Sequence, residues 1–329
     1  MNRILKPLVS LAFLTLSLAL LDWNKLVESF AHVRAIVVFC VIVLICLEYF
    51  VMAMRWHQIM QKVTSMPALE NLRIYLYATF LNSFTPANLG GDIYRLVTLR
   101  SHTTPSLRII LALIQERLLG LLAFCIFYLA CLVGIRLTHP GELHSAETLF
   151  NSIGWFLLVG TVGILVLPYL VGCLDKWTPI RSKRTLAVSL NRFRQALVFN
   201  SRADFALLLG LSLLSLWIWI SAVWIISRDL HIHVSWSVLA ISAILAELIR
   251  LVPLSVQGIG LREGAFAYIF SLLGDSPEAG FTLGTISYLT LSCSLLISGL
   301  IGVCMTHFPI PRFKMTRSSD NDGSSKVVE

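Results

Sequence analysis

The sequence predicts an all-α integral membrane protein with about eight transmembrane helices and a re-entrant hairpin, and with both termini in the cytoplasm. Three observations predict this fold class. The 329-residue chain is 57% hydrophobic and only 13% charged, about half the charged share of a typical soluble domain. Its apolar residues form long uninterrupted runs, and its mean hydropathy is +0.79. Its basic residues collect in alternate loops.

Apolar runs long enough to cross a hydrocarbon core of about 30 Å as helices recur along the chain. The clearest are AIVVFCVIVLICLEYFVMAM at 35–54 and LLLGLSLLSLWIWISAVWII at 207–226. The run at 7–21 follows two basic residues, as in a signal peptide, but no small-residue cleavage site follows it, so we expect it to be retained. The predicted spans are 7–21, 35–54, 109–135, 153–173, 207–226, 236–252, 254–273 and 281–306.

The net charge of +8 would suggest a nucleic-acid partner if the chain were soluble. In the predicted topology, however, most Lys and Arg residues lie in cytoplasmic segments, where anionic lipid headgroups account for them. The outside segments hold only Lys25, Arg34, Arg136 and Arg228. The charge distribution therefore predicts a multi-pass protein of the cytoplasmic (inner) membrane that binds no nucleic acid.

One membrane domain at 1–310 fills nearly the whole chain, and a polar tail at 311–329 is predicted to be cytoplasmic and disordered. The basic loop at 175–204 is either an interfacial helix on the inner leaflet or a solvated loop. The seven cysteines lie in or beside the spans, without a CxxC pair or neighbouring histidines. We therefore expect no disulfide, no metal site and no cofactor.

The segment IYLYATFLNSFTPANLGGDIYR at 74–95 is apolar at its start but too short to cross the membrane. Counting it as a crossing would also place the basic 175–204 loop outside. We therefore expect a re-entrant hairpin, in which two short helices flank a non-helical tip at 85–91. Broken backbone at membrane depth must be buried in protein or line a wet cavity. The alternative is a cytoplasmic helix-turn-helix with Asp92 as a solvated helix cap.

A second break, in LAELIRLVPLSVQGIGLREGAFAYIFSLLG at 245–274, also carries charges. Glu247 and Arg250 are three residues apart, on one helix face, and precede a proline and a Gly-Ile-Gly sequence. Arg262 and Glu263 follow that sequence directly. Either arginine could snorkel to the interface, whereas Glu247 lies too deep in its span to reach water. The sequence leaves open whether 254–273 spans the membrane or is re-entrant.

The third charged site is IQERLLG, with Glu116 and Arg117, on the long helix predicted around 109–135. Glu48 in the second span is either a carboxylate near the interface, which we favour slightly, or a partner for a buried arginine. Charges within spans usually line a bundle interior or a substrate path. The predicted substrate-binding residues are Asn82, Pro86, Gly90, Gly91, Asp92, Arg95, Glu116, Arg117, Glu247, Arg250, Gly258, Gly260, Arg262 and Glu263.

Three motifs carry a resemblance to a known family: N-x-x-x-P-x-x-x-G-G-D-x-x-R at 82–95, E-R-L-L-G at 116–120 and P-L-S-V-Q-G-I-G-L-R-E-G at 253–264. With these in order, the chain resembles the membrane region of the lysylphosphatidylglycerol synthases, a flippase-like family. It departs from the family pattern at Ala87, Asn88 and Gln257, where the family commonly has glycine. We expect no soluble aminoacyl-transferase domain, so the resemblance implies lipid translocation or handling of a lipid-linked intermediate, and not lipid aminoacylation.

The leading hypothesis is a non-enzymatic protein that binds an anionic lipid headgroup, of phospholipid or polyprenyl-phosphate type, and helps it cross the membrane. Its arginines would attract phosphate, and its carboxylates would hold the arginines or recognise an amine. A membrane-embedded lipid transferase is one alternative, although no paired-Asp motif or His cluster supports it. A scaffold for lipid-synthesis enzymes is the other. The expected partners are membrane lipids, with a second copy of the chain or a lipid-synthesis enzyme.

Overall fold

A computed structural model describes residues 23–31, 33–82, 85, 89–100, 106–138, 146–177, 201–250, 255 and 258–305. The regular structure of these residues is entirely helical. The helices are α1 (Trp23–Ala31), α2 (Ala35–Met60), α3 (Ala68–Asn82), α4 (Gly90–Arg100), α5 (Ser106–Thr138), α6 (Glu147–Trp177), α7 (Arg202–Asp229), α8 (Trp236–Arg250), α9 (Leu261–Leu272) and α10 (Pro277–Cys304).

Within the described residues, four helices are long and apolar enough to cross a membrane, namely α2, α5, α7 and α10. Each contains most or all of one predicted span, so the chain is an all-α membrane protein. Helix α6 covers the predicted span at 153–173. Helix α9 has 12 residues, or about 18 Å at about 1.5 Å per residue, which is shorter than the hydrocarbon core. The total of eight crossings stays a prediction, since the predicted span at 7–21 and the tail at 311–329 lie outside the described residues.

Helix α2 shows how the apolar sequence divides between lipid and protein. Its exposed side chains recur every three or four residues, which places them on one face of the helix. They are Ile36, Phe39, Val43, Leu47, Phe50 and Met54. The opposite face carries Val37, Val41, Ile45 and Tyr49, which are buried against the other helices. An exposed apolar ridge of this length would be unfavourable in water and is suited to contact with acyl chains.

Helices α2 and α7 run antiparallel, and ion pairs join them at both ends. Arg34, just before α2, donates from Nε to Asp229 Oδ1 at the end of α7, at 2.5 Å. Lys62, just after α2, lies 3.0 Å from Asp204 Oδ2 in the first turn of α7. The two helices therefore lie side by side along their whole length.

Helices α3 and α4 form the predicted two-helix hairpin. The backbone N–H of Gly90 donates to Thr85 Oγ1 at 2.7 Å, and that of Gly91 donates to Asn82 Oδ1 at 2.7 Å. At Gly91 the backbone of α4 passes so close to α3 that a Cβ there would lie 2.1 Å from the Ala78 carbonyl oxygen. The side chains of Asn82 and Thr85 thus hold the hairpin closed. Its depth in the membrane stays a prediction.

Helix α10 supplies the surface on which both broken segments pack. At its C-terminal end, Gly299 and Gly302 leave room for Phe80 and Tyr77 of α3. At its N-terminal end, Gly280 lies against Phe266 of α9. The absence of side chains at these glycines allows α3 and α9 to approach the same long helix closely.

Candidate functional site

A cavity of about 250 Å³ lies between helices α2, α3, α4, α5, α7, α8 and α10. Its polar lining includes Glu48, Arg55, Asn82, Arg95, Ser212 and Glu247. Its apolar lining includes Met52, Phe124, Leu216, Trp219, Leu291 and Leu295. Three of the charged residues singled out in the sequence, Glu48, Arg95 and Glu247, therefore line one mixed polar and apolar space inside an apolar bundle, which is typical of a ligand site.

Glu116 of α5 is the centre of an ion-pair network beside this cavity. Its Oε2 accepts a hydrogen bond from Arg95 Nη1 at 2.6 Å, and its Oε1 lies 3.4 Å from Arg55 Nη2. Arg95 also donates from Nη2 to Asp92 Oδ1 at 2.9 Å. Arg117, half exposed, donates from Nε to Asp92 Oδ2 at 3.0 Å. The network links α2 to the two consecutive helices α4 and α5.

The two arginines that line the cavity are held in fixed positions. The Arg95 guanidinium lies 4.5 Å from the ring centre of Trp56 and 5.3 Å from that of Tyr75, so the aromatic faces stabilise its charge away from water. Arg55 donates from Nη1 to Ser212 Oγ at 2.9 Å. The Nε–H of each arginine is buried and has no hydrogen-bond partner among the described residues. Buried donors of this kind call for a ligand or water.

Glu247 of α8 and Arg262 of α9 form an ion pair in the structure. Arg262 Nη2 lies 3.0 Å from Glu247 Oε1, and the Arg262 side chain is 1% exposed, so it does not snorkel to the interface. The Tyr288 ring centre lies 6.0 Å from the guanidinium. Glu247 lines the cavity while Arg262 is absent from its lining. The arginine therefore orients the carboxylate and balances its charge.

Three other predicted site residues, Gly258, Gly260 and Glu263, shape the start of helix α9. Gly258 and Gly260 both have φ near +80°, a conformation that favours glycine. The Gly260 N–H donates to Glu263 Oε2 at 2.8 Å, so Glu263 caps α9. Asp92, a candidate cap of α4 in the sequence, lies in the first turn of that helix and binds Arg95 and Arg117. The structure does not describe Pro86 or the side chain of Arg250.

The first backbone N–H groups of α4 are occupied within the hairpin. The first two of these groups already donate to the hydroxyl of Thr85 and the amide oxygen of Asn82. The cavity instead presents arginine side chains. Asn82 keeps its predicted place in the site, because it both lines the cavity and holds the hairpin closed.

Sequence reasoning missed Arg55 and left two alternatives for Glu48. The predicted span ended at 54, which assigned Arg55 to the cytoplasm, whereas α2 continues to Met60 and the arginine is 4% exposed. Glu48, predicted to be either a carboxylate near the interface or a partner for a buried arginine, is buried within the protein and lines the cavity. The two residues are seven apart, which is about two helical turns and so places them on one face. This seven-residue spacing is the sequence feature that could have placed Arg55 beside Glu48.

The fold and the cavity define the class of the protein: an all-helical membrane protein whose helices enclose a charged site. A family model described as the lysylphosphatidylglycerol synthase TM region matches residues 3–299, and the chain belongs to this family. The chain is also similar to the UPF0104 membrane protein MJ1078 of Methanocaldococcus jannaschii, with 24% identity over 225 residues that cover 68% of this chain and 92% of the relative. No solved structure matches it. The family predicted from the three motifs is confirmed.

Proposed function

We propose that this protein binds the anionic headgroup of a membrane lipid, or of a lipid-linked intermediate, in the cavity and carries it across the cytoplasmic membrane. One observation carries the proposal. Two buried arginines line a cavity inside an apolar bundle, and each has an Nε–H without a hydrogen-bond partner among the described residues. In the proposal phosphate oxygens accept hydrogen bonds from these guanidinium groups, since the planar guanidinium suits bidentate contact with phosphate.

The size and lining of the cavity favour a lipid headgroup over a whole lipid. A volume of about 250 Å³ corresponds to about eight water molecules at about 30 Å³ each. That is enough for a phosphate and a few further atoms, and too little for acyl chains. Apolar side chains such as Leu291 and Trp219 line the same cavity. The acyl chains would therefore remain among apolar side chains and lipid while the headgroup occupies the polar part.

If the protein were a lipid transferase, Asp92, Glu116 or Glu263 would be the candidate catalytic base, but all three are engaged with other groups, which supports transport without covalent chemistry. Glu116 accepts from Arg95 and Arg55, and Asp92 accepts from Arg95 and Arg117. Glu263 accepts from the backbone at the start of α9. In the proposal these carboxylates hold the arginines and a helix start in place, and none acts as a general base.

Arg55→Lys tests the proposal with little risk to the fold, because it keeps the charge and removes the planar fork. We expect the variant to retain at most about a tenth of the anionic lipid that co-purifies with the wild-type protein, a loss of about 1.4 kcal/mol. The measurement is quantitative mass spectrometry of bound lipids, followed by transport of a fluorescent anionic lipid in proteoliposomes. Arg136→Lys is the matched control, since Arg136 is about half exposed and far from the cavity lining. Unchanged lipid in the Arg55 variant would contradict the proposal.

A further inference from the structure

We infer that Gly120 of α5 sets the size of the headgroup that can reach Arg55 in the cavity. The inference rests on the proposed function and names a residue that determines its specificity. Gly120 is the last residue of the E-R-L-L-G sequence at 116–120, and the predicted substrate-binding residues did not include it. In the structure it lines the cavity directly.

Neither the backbone nor the described packing of α5 requires a glycine at position 120. The residue lies inside the helix, in a conformation open to any residue, and glycine is less stable there than alanine because its backbone loses more freedom on folding. Gly91 and Gly299 differ, since a Cβ there would lie 2.1 Å and 2.5 Å from atoms of α3. At Gly120 the nearest atom among the described residues is Arg55 Nη1, at 4.0 Å, which is ordinary contact.

The space beside Gly120 opens into the cavity. Four residues follow one another at helical spacing and so share one face of α5, namely Glu116, Gly120, Ala123 and Phe124. The last three line the cavity, and Glu116 contacts Arg55 beside it. Two small residues thus lie between a carboxylate and an aromatic ring. They leave a recess in this wall of the cavity, at Gly120 and Ala123.

The Arg55 guanidinium borders this recess. Its Nη1, the atom nearest to Gly120, donates to Ser212 Oγ on α7, and its Nη2 lies 3.4 Å from Glu116 Oε1 on α5. The guanidinium is therefore held between two walls of the cavity, and it cannot move away from the recess without giving up these contacts. A side chain at position 120 would occupy space that a headgroup needs when it binds Arg55.

The recess determines specificity because the cavity is small. Its volume of about 250 Å³ leaves room for little more than a phosphate and a few further atoms. One methyl group added at position 120 would exclude part of a large headgroup and spare a smaller one of the same charge. A leucine there would exclude both. A change in the preference between two headgroups of equal charge is therefore the effect that this position should produce, whereas general damage to the fold would weaken both alike.

The test compares two short-chain phosphodiesters of equal charge, dihexanoylphosphatidylglycerol and the smaller dihexanoylphosphatidylmethanol. Calorimetric titration gives their affinities for the full-length protein in detergent. We expect Gly120→Ala to bind phosphatidylglycerol about tenfold more weakly than the wild type does, which is the usual effect of one carbon atom in a fitted pocket. Its affinity for phosphatidylmethanol should stay close to that of the wild type. Gly120→Leu should bind neither lipid measurably.

Gly134→Ala and Gly134→Leu are the matched controls. Gly134 lies in the same helix and outside the described cavity lining, and no atom lies within 4 Å of its added Cβ. Both variants should bind the two lipids as the wild type does. Thermal unfolding separates a steric effect from a damaged fold, because Gly120→Ala should unfold at or above the wild-type temperature if alanine only improves the helix.

An unchanged preference between the two lipids in Gly120→Ala, or a lower unfolding temperature, overturns the inference. The alanine variant decides this even if the leucine variant does not fold, and phosphatidylglycerol binding that persists in a folded Gly120→Leu overturns it as well. Arg55→Lys keeps the two proposals apart. If that variant loses both lipids while Gly120→Ala keeps the wild-type preference, the proposed function stands and the inference fails. Absence of wild-type binding to either lipid overturns both.

Discussion

Gly91 has no room for a side chain, so a substitution there tests whether α3 and α4 pack as closely as the structure shows. A Cβ at this position would lie 2.1 Å from the Ala78 carbonyl oxygen. We expect Gly91→Ala to lower the free energy of unfolding by about 1–3 kcal/mol, the usual cost of overpacking. Gly134→Ala is the control, because no atom lies within 4 Å of its added Cβ. The measurement is thermal unfolding in detergent, and equal melting temperatures would show that the hairpin is not packed in this way.

The ion pair between Glu247 and Arg262 gives a second prediction. Removal of either charge leaves the other buried without its ion-pair partner, which costs about 3–5 kcal/mol of stability. We expect Glu247→Gln and Arg262→Gln each to insert in the membrane yet to lose most lipid transport in proteoliposomes. The double variant should lose less than the sum of the two losses, because both changes disrupt one pair. Full transport by both single variants at equal protein levels would remove this pair from the site.

The residues of the site could be predicted from the sequence only in part. Glu247 and Arg262 stand out because charge within an apolar span is rare. Arg55 does not, because it follows the predicted span 35–54 directly, and hydropathy cannot tell a buried arginine at the end of a span from a cytoplasmic one. The partners of Glu116 are equally invisible, since Arg95 and Arg55 lie 21 and 61 residues away in the chain. Their pairing depends on how α2, α4 and α5 pack.

The hairpin of α3 and α4 is the element whose position in the membrane decides the topology. Its connection carries Thr85 and Leu89, which are partly buried and exposed, respectively. If the tip lies at membrane depth, single cysteines at these positions, in a background without the native cysteines, should react slowly with a water-soluble maleimide from either side. Cysteines replacing Lys62 and Arg100 should react quickly from the cytoplasm. Uniformly fast labelling at all four positions would support the cytoplasmic helix-turn-helix.

The sequence predicts the hairpin better than it predicts where the hairpin packs. Two short helices around a Pro-Ala-Asn-Leu-Gly-Gly connection follow from length, polarity and the glycines. The contact of Asp92 with Arg117 could not be predicted from the local sequence, because it depends on how α4 packs against α5. Contact with α10 depends on Gly299 and Gly302, more than 200 residues further along the chain. No local pattern specifies that contact.

At the scale of the whole molecule, the distribution of basic residues predicts that both termini and the 175–204 loop face the cytoplasm. Reporter fusions at the N-terminus, after Arg202 and after the last residue should therefore be active in the cytoplasm and inactive outside the membrane. Fusions within 136–146 should show the opposite pattern and act as the internal control. Activity outside the membrane after Arg202 would rule out this topology and the re-entrant hairpin with it.

The ion pairs at the two ends of α2 and α7 have a mechanical consequence. Because these antiparallel helices are joined by Arg34 with Asp229 and by Lys62 with Asp204, neither can slide along the other without separating a pair. We therefore expect α2 and α7 to keep their relative position when a headgroup enters, and we expect the headgroup to enter on the side of α3, which packs on Gly299 and Gly302 of α10. A chemical cross-link between cysteines at 34 and 229 should therefore leave lipid binding unchanged, and loss of binding would identify α2 and α7 as the part that opens.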